Sequence, residues 1–204
     1  MKKILFFLPI LLVLYNCSTG EQKEKKSEEN TSKKETGQEE TPHLDTLFKG
    51  IGNLQDVEFT VVAIDQGETA AITITPSGLE NSNEAVLAIS ESKNISFAIE
   101  DLDSDGSPEL IVFAKVDDLN TDIFAYSTYN KKSMGLINFQ ENSPEIKTEK
   151  AHLIKKEYAV VETTLSRRNT YEKEDGSTYV VQTDYKLVDG EAMKQLIKSK
   201  EYQY

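Results

Sequence analysis

Val57-Glu-Phe-Thr-Val-Val-Ala-Ile64 is followed, after Asp65-Gln-Gly67, by Thr69-Ala-Ala-Ile-Thr-Ile-Thr75. Both runs are rich in β-branched residues, which suit a pleated and half-buried surface, and the polar residues between them mark a chain reversal. The pair reads as a β-hairpin. Working outward, Ala85–Ile89, Ile95–Leu102, Leu110–Lys115, Ile123–Tyr129 and Leu136–Phe139 are further short apolar runs, each set off by Asn, Ser, Gly or Asp. In the first part of the Ile95 run, Ile95, Phe97 and Ile99 alternate with Ser96 and Ala98, so one face points to a core. Glu157–Leu165 and Thr178–Leu187 alternate again, and Asp175-Gly176 in the polar stretch between them suits a hairpin turn. Only Glu191–Lys200 has helical spacing, with Ala192, Met193, Leu196 and Ile197 toward one side, and Leu44–Gly50 is a weaker candidate. The expectation is an all-β fold, a mainly antiparallel sandwich or flattened barrel, with one short C-terminal helix.

This domain occupies residues 43–204, a normal length for a single core. What precedes it is of another kind. Lys2 and Lys3 open the chain and Ile4–Leu14 is an apolar run of eleven residues, too short for the roughly 20 that span a bilayer. It has the form of a secretion signal, residues 1–16. Cys17, the chain's only cysteine, follows directly. From Ser18 to Pro42 the chain is made of polar and charged residues and glycine, with no aliphatic or aromatic side chain. The stretch after Cys17 is therefore expected to be a disordered tether, making residues 17–42 one segment with the cysteine at its head.

Cleavage after residue 16 removes Lys2 and Lys3 and no acid from 23 basic and 35 acidic side chains, leaving 21 against 35, a net charge of -14. Such a surface repels phosphate backbones, so nucleic acid is not an expected partner. A basic secreted or envelope protein is. Enzyme readings find little to use. The histidines are His43 and His152 alone, too few for a multi-histidine zinc site, and no nucleophile elbow or phosphate-binding glycine loop is present.

The sharpest local motif is Asp101-Leu-Asp-Ser-Asp-Gly-Ser-Pro-Glu109. Alternating aspartates put Asp101, Asp103 and Asp105 on one side of a tight loop, Gly106 allows the turn, and Glu109 is placed to close an oxygen shell around a hard cation such as Ca2+. An EF-hand would need a glutamate at the twelfth loop position, where Val112 stands. The competing reading is an acidic turn whose carboxylates bond to loop amides without metal.

Phe97-Ala-Ile-Glu-Asp-Leu-Asp-Ser-Asp-Gly-Ser-Pro-Glu-Leu-Ile-Val-Phe113, with Phe124-Ala-Tyr-Ser127, resembles the central hairpin of the PliI-like family, periplasmic inhibitors of invertebrate-type lysozyme. His152-Leu-Ile-Lys155 and Gly176-Ser-Thr-Tyr-Val-Val-Gln-Thr-Asp-Tyr-Lys-Leu187 are similar to that family's C-terminal pattern. Leu14-Tyr-Asn-Cys17 likewise resembles the lipobox of bacterial lipoproteins, which implies acylation at Cys17 and a membrane anchor in the cell envelope. The first resemblance implies an all-β, non-catalytic domain that binds a protein such as a lysozyme. The family's inhibitory loop carries Ser-Gly-x-x-Tyr. Its counterpart here, Val116-Asp-Asp-Leu-Asn-Thr-Asp122, lacks the Ser-Gly pair and the tyrosine, so the fold carries over and the inhibitory residues do not. Asp117, Asp118, Asn120 and Asp122 remain the candidates for partner contact, as polar and negative groups suited to a basic cleft.

Overall fold

The computed structural model describes residues 45–141 and 150–204. The signal segment, Cys17, the tether and His43 lie outside the described residues. Strands run in chain order as β1 (Thr46–Leu54), β2 (Val57–Asp65), β3 (Ala70–Ser77), β4 (Val86–Ser90), β5 (Asn94–Glu100), β6 (Glu109–Lys115) and β7 (Thr121–Ser127). They continue as β8 (Gly135–Leu136), β9 (Asn138–Phe139), β10 (Ala151–Val161), β11 (Thr164–Lys173), β12 (Thr178–Val188) and β13 (Gln195–Gln203). The fold is all-β and mainly antiparallel, as expected.

Three sheets carry it, in the orders β1-β2-β3-β4, β5-β6-β7-β8 and β10-β11-β12-β13-β9, with β13 and β9 pairing parallel. The β5–β8 sheet is buried from both sides. Leu110, Val112, Ala114 and Tyr126 join Val57, Phe59, Val61, Ile72 and Ile74 of the first sheet in one core. Ile111 and Ala125, on the opposite face, join Leu165, Tyr185, Leu187 and Leu196 of the third sheet in another. That explains the continuous apolar run Leu110–Val112, because a strand covered on both faces loses the alternation that a half-exposed one keeps. The expected inward face of β5 is also present, with Ile95 buried and Phe97 and Ile99 packed against the first core.

β1 lies against β5 through two glycines. A Cβ on Gly50 would sit 2.5 Å from Phe97 Cε1, and one on Gly52 would sit 2.7 Å from Ile99 Cδ1, so a side chain at either position would force its neighbours to shift. Phe48 meets Phe97 edge to face, with ring centroids 6.1 Å apart.

Three expectations are corrected. Among the described residues there is no helix: from Gln195 onward the C-terminal segment expected to be helical belongs to β13, because Gln195 through Gln203 pair with β12 from Val188 to Val181, with a bulge at Ser199. The pull of that ladder and of Leu196 in the second core outweighs local spacing. In the weaker helical candidate, Leu44–Gly50, the residues from Thr46 onward belong to β1, and Leu44 lies outside the described residues. Third, Glu157–Leu165 is not one strand but the end of β10 and the start of β11, reversed at Glu162, whose φ is +52°. The polar stretch after it is strand β11.

Candidate functional site

The acidic loop joins β5 to β6, whose ladder closes on the pair Glu100 and Glu109. Its turn needs two residues in the left-handed region, Ser104 (φ +59°) and Gly106 (φ +86°). The side chains then stitch it. Asp101 Oδ1 accepts from Asp105 N at 3.0 Å, and Oδ2 accepts from Gly106 N at 2.9 Å and from Gln55 Nε2 at 2.7 Å. Asp105 Oδ1 accepts from Ser107 N at 2.7 Å. Glu109, fully buried, accepts from Leu102 N at 2.9 Å and from Ser127 Oγ at 2.8 Å. These are the amide contacts of a turn that holds itself together.

Into this loop comes a cation the motif did not announce. Lys194, 5% exposed, places Nζ 2.6 Å from Asp103 Oδ2, 2.7 Å from Asp105 Oδ2 and 3.5 Å from Glu109 Oε1. Its main chain is held as well: Lys194 N donates to Tyr129 Oη at 3.0 Å, and Asn138 N donates to Lys194 O at 2.9 Å. The ammonium therefore neutralises part of a buried acid cluster that would otherwise be costly. Nothing local in the sequence flags Lys194, since its partners lie 89 and 91 residues away.

The electrostatics follow. Burial pushes the Glu109 carboxyl up to about 7, against the opposing pull of the Leu102 amide, Ser127 and Lys194. Burial also acts to raise Asp105, but hydrogen bonds from Lys194 and Ser107 prevail and hold it below the usual carboxylate range. For Lys194, burial works against the charge, and the hydrogen bonds to Asp103 and Asp105 more than compensate, so it stays protonated.

Of the four expected metal ligands, Asp101, Asp103 and Glu109 converge, each offering an oxygen within 4.8 Å of the others, and this group could hold a metal ion. Asp105 is not in that group. Asp103 Oδ1 is buried without a hydrogen-bond partner. Any metal here shares Asp103 and Glu109 with Lys194.

The second candidate, the β6–β7 loop, is also tied from within. Asp117 Oδ1 accepts from Leu119 N at 2.6 Å and Asn120 N at 2.7 Å, while Asn120 Nδ2 donates to Oδ2 at 2.9 Å. Asp118 pairs with Lys115 at 2.8 Å, and Lys156 N, on β10, donates to the Asp118 carbonyl at 2.7 Å. Asp122 accepts from Ser90 Oγ at 2.6 Å. Asn120 hydrogen bonds lower the Asp117 carboxyl, and the Lys115 hydrogen bond lowers Asp118, so both stay ionised. Exposed between these charges are Val116 and Leu119, which the electrostatic reading of the loop passes over. Beside the loop lies an open, largely polar cleft of about 380 Å³ lined by Thr121, Asp122 and Glu141 together with Ile89, Ile123, Phe124, Phe139 and Tyr158.

His152 lies near the start of β10, opposite Glu172. No described helix is long and apolar enough to cross a membrane. Compared with known proteins, the chain matches no family model, no curated protein and no solved structure.

Proposed function

We propose that this chain is a lipid-anchored, non-catalytic protein of the bacterial cell envelope that binds another protein, a basic secreted or envelope protein such as a lysozyme, through the β6–β7 loop. The observation that carries this reading is the loop's internal order. Asp117 caps two backbone amides of its own turn, and the Asp118 carbonyl is held by β10, so Val116 and Leu119 stand exposed on a fixed backbone. A loop ordered before binding loses little entropy on contact, which favours affinity. The ionised Asp117 and Asp118 at its tip favour approach of a basic partner, and the neighbouring cleft, where Asp122 and Glu141 stand beside Ile123 and Phe124, offers mixed polar and apolar surface to a side chain. Lipid attachment at Cys17 is the proposed means of retention at a membrane. The test is direct binding of the chain to basic lysozymes by surface plasmon resonance. Leu119→Ala is expected to weaken binding by about tenfold, a loss of roughly 1.4 kcal/mol. The reading fails if the unmodified chain binds none, or if Leu119→Ala and an Asp117, Asp118 and Asp122 triple alanine variant both bind as tightly as the parent.

A second reading, a calcium-stabilised surface binding module, is favoured by the convergence of Asp101, Asp103 and Glu109 and by the unpartnered Asp103 Oδ1. Ca2+ would share the Asp103 and Glu109 carboxylates with the Lys194 ammonium. A rise in melting temperature with calcium that Asp103→Ala abolishes supports it, and an unchanged melting temperature removes it.

A further inference from the structure

The outward face of the third sheet carries an ordered polar strip that neither acidic loop uses. Gln182 is its centre. The Gln182 amide oxygen accepts from Arg168 Nε at 2.9 Å and from Tyr204 Oη at 3.0 Å. Its nitrogen donates to Asp184 Oδ1 at 2.8 Å and to Tyr202 Oη at 3.3 Å. Asp184 also accepts from Ser166 Oγ at 2.7 Å and from Tyr202 Oη. Every amide donor and acceptor of Gln182 is thus used, and side chains from β11, β12 and the C-terminal strand region form one connected network.

Two properties of this network point to a ligand. The first is the attitude of the rings. Tyr202 stands opposite Gln182 in the ladder, and its hydroxyl reaches Asp184, two residues along the strand. Tyr204 exchanges backbone hydrogen bonds with Val180, and its hydroxyl reaches Gln182, again two residues along. Both rings therefore lean along the sheet and do not stand off it. They belong to residues that remain 40% and 61% exposed. Exposed tyrosines held down by their hydroxyls present apolar area with their rotamers already fixed, so a ligand that lies on them does not incur the cost of ordering them.

The second property is charge. Along the strip Arg168 stands opposite Glu157 in the ladder and Asp184 opposite Lys200, so the two signs alternate and, in a strongly acidic chain, neither prevails on this face. Past Ser166 and Arg168 the strip runs into a depression of about 180 Å³ that Ala159 and Val161 also line. From Tyr202 on β13 to Ala159 on β10 it crosses β12 and β11, roughly 14 Å at about 4.8 Å per spacing.

We propose that this strip is a binding site for a neutral, unbranched oligosaccharide laid across the strands. A sugar ring presents apolar C–H faces above and below and hydroxyls around its edge. The tyrosine faces match the former, while the exposed Arg168, whose Nε alone is given to Gln182, has its terminal guanidinium nitrogens to offer the latter. A charged polymer gains nothing on a balanced strip.

The experiment is isothermal titration calorimetry of the full chain with tetramers of β-1,4-linked N-acetylglucosamine and of β-1,4-linked glucose, and with a sulfated oligosaccharide as the charged comparison. Binding of at least one neutral tetramer is expected, weakened by about tenfold or more in Tyr202→Ala/Tyr204→Ala. Arg168→Ala, an exposed change that leaves the tyrosine anchors in place, is expected to weaken it too, with unchanged circular dichroism showing that the sheet is intact. No heat with either neutral tetramer, binding of the sulfated sugar alone, or full affinity in both variants overturns the proposal. None of these substitutions touches the β6–β7 loop, so a failure here and a failure of lysozyme binding are separate results.

Discussion

Lys194 and Glu109 set the acid loop's energetics between them, one supplying counter-charge to three carboxylates and the other holding a buried proton whose release depends on pH. Replacing Lys194 with methionine keeps much of the stem's packing and removes the charge, leaving Asp103, Asp105 and Glu109 without it. The expected loss is about 3–5 kcal/mol, the usual consequence of breaking a buried ion pair from one side, measured by urea denaturation. Glu109 gives a pH signature. Its folded value near 7 lies above the ordinary 4.5, so between those values the folded chain holds a proton that the unfolded chain has released. The unfolded state then binds fewer protons, and stability falls as pH rises through that window, by roughly 3 kcal/mol at about 1.4 kcal/mol per unit. Asp105, Asp184 and Glu141 are depressed, so their contribution is lost in more acidic solution, as pH falls through their folded values. Urea midpoints without divalent cations should therefore be highest in mild acid, and Glu109→Gln should flatten the decline toward neutral pH.

At the scale of elements, the glycine contacts of β1 decide how closely it approaches β5. Gly52→Val would drive its side chain into Ile99 and Phe97 and is expected to cost about 1–3 kcal/mol, seen as a lower urea midpoint with an unchanged m-value. The same elements mark where sequence can be read. The β2–β3 and β5–β6 hairpins are legible because their strands pair with near neighbours, so composition, turn residues and burial all speak in one short window. The β10–β11 reversal is not: Glu162-Thr163 carries no Gly, Pro, Asn or Asp, and an alternating pattern runs straight through it. β13 escapes the sequence for a different reason. Ala192, Met193, Leu196 and Ile197 fit a helical face, yet Leu196 is buried while Ile197 is exposed, the period of two that pairing with β12 imposes. The acid loop divides similarly. Its carboxylates and glycine are local and can be named, whereas Lys194 and Gln55 reach it only through the fold.

For the whole molecule, charge and anchoring make claims that no single strand can. With 21 basic and 35 acidic side chains after the expected cleavage, association with a basic partner should be fast at low salt and slow steeply as ionic strength rises, since the screening length is only about 8 Å at physiological salt. The anchor is separable from that. The eleven apolar residues Ile4–Leu14 are fewer than the roughly 20 that span a bilayer, so the proposed retention at a membrane rests on Cys17. Cys17→Ser removes the only thiol in the chain and nothing from the described strands. Metabolic labelling with palmitate should mark the parent and not the variant, and the variant should leave the membrane fraction while keeping the parent's urea midpoint. A parent that takes up no label would overturn the proposed acylation, and a variant that keeps the label or stays membrane-bound would place the attachment away from Cys17.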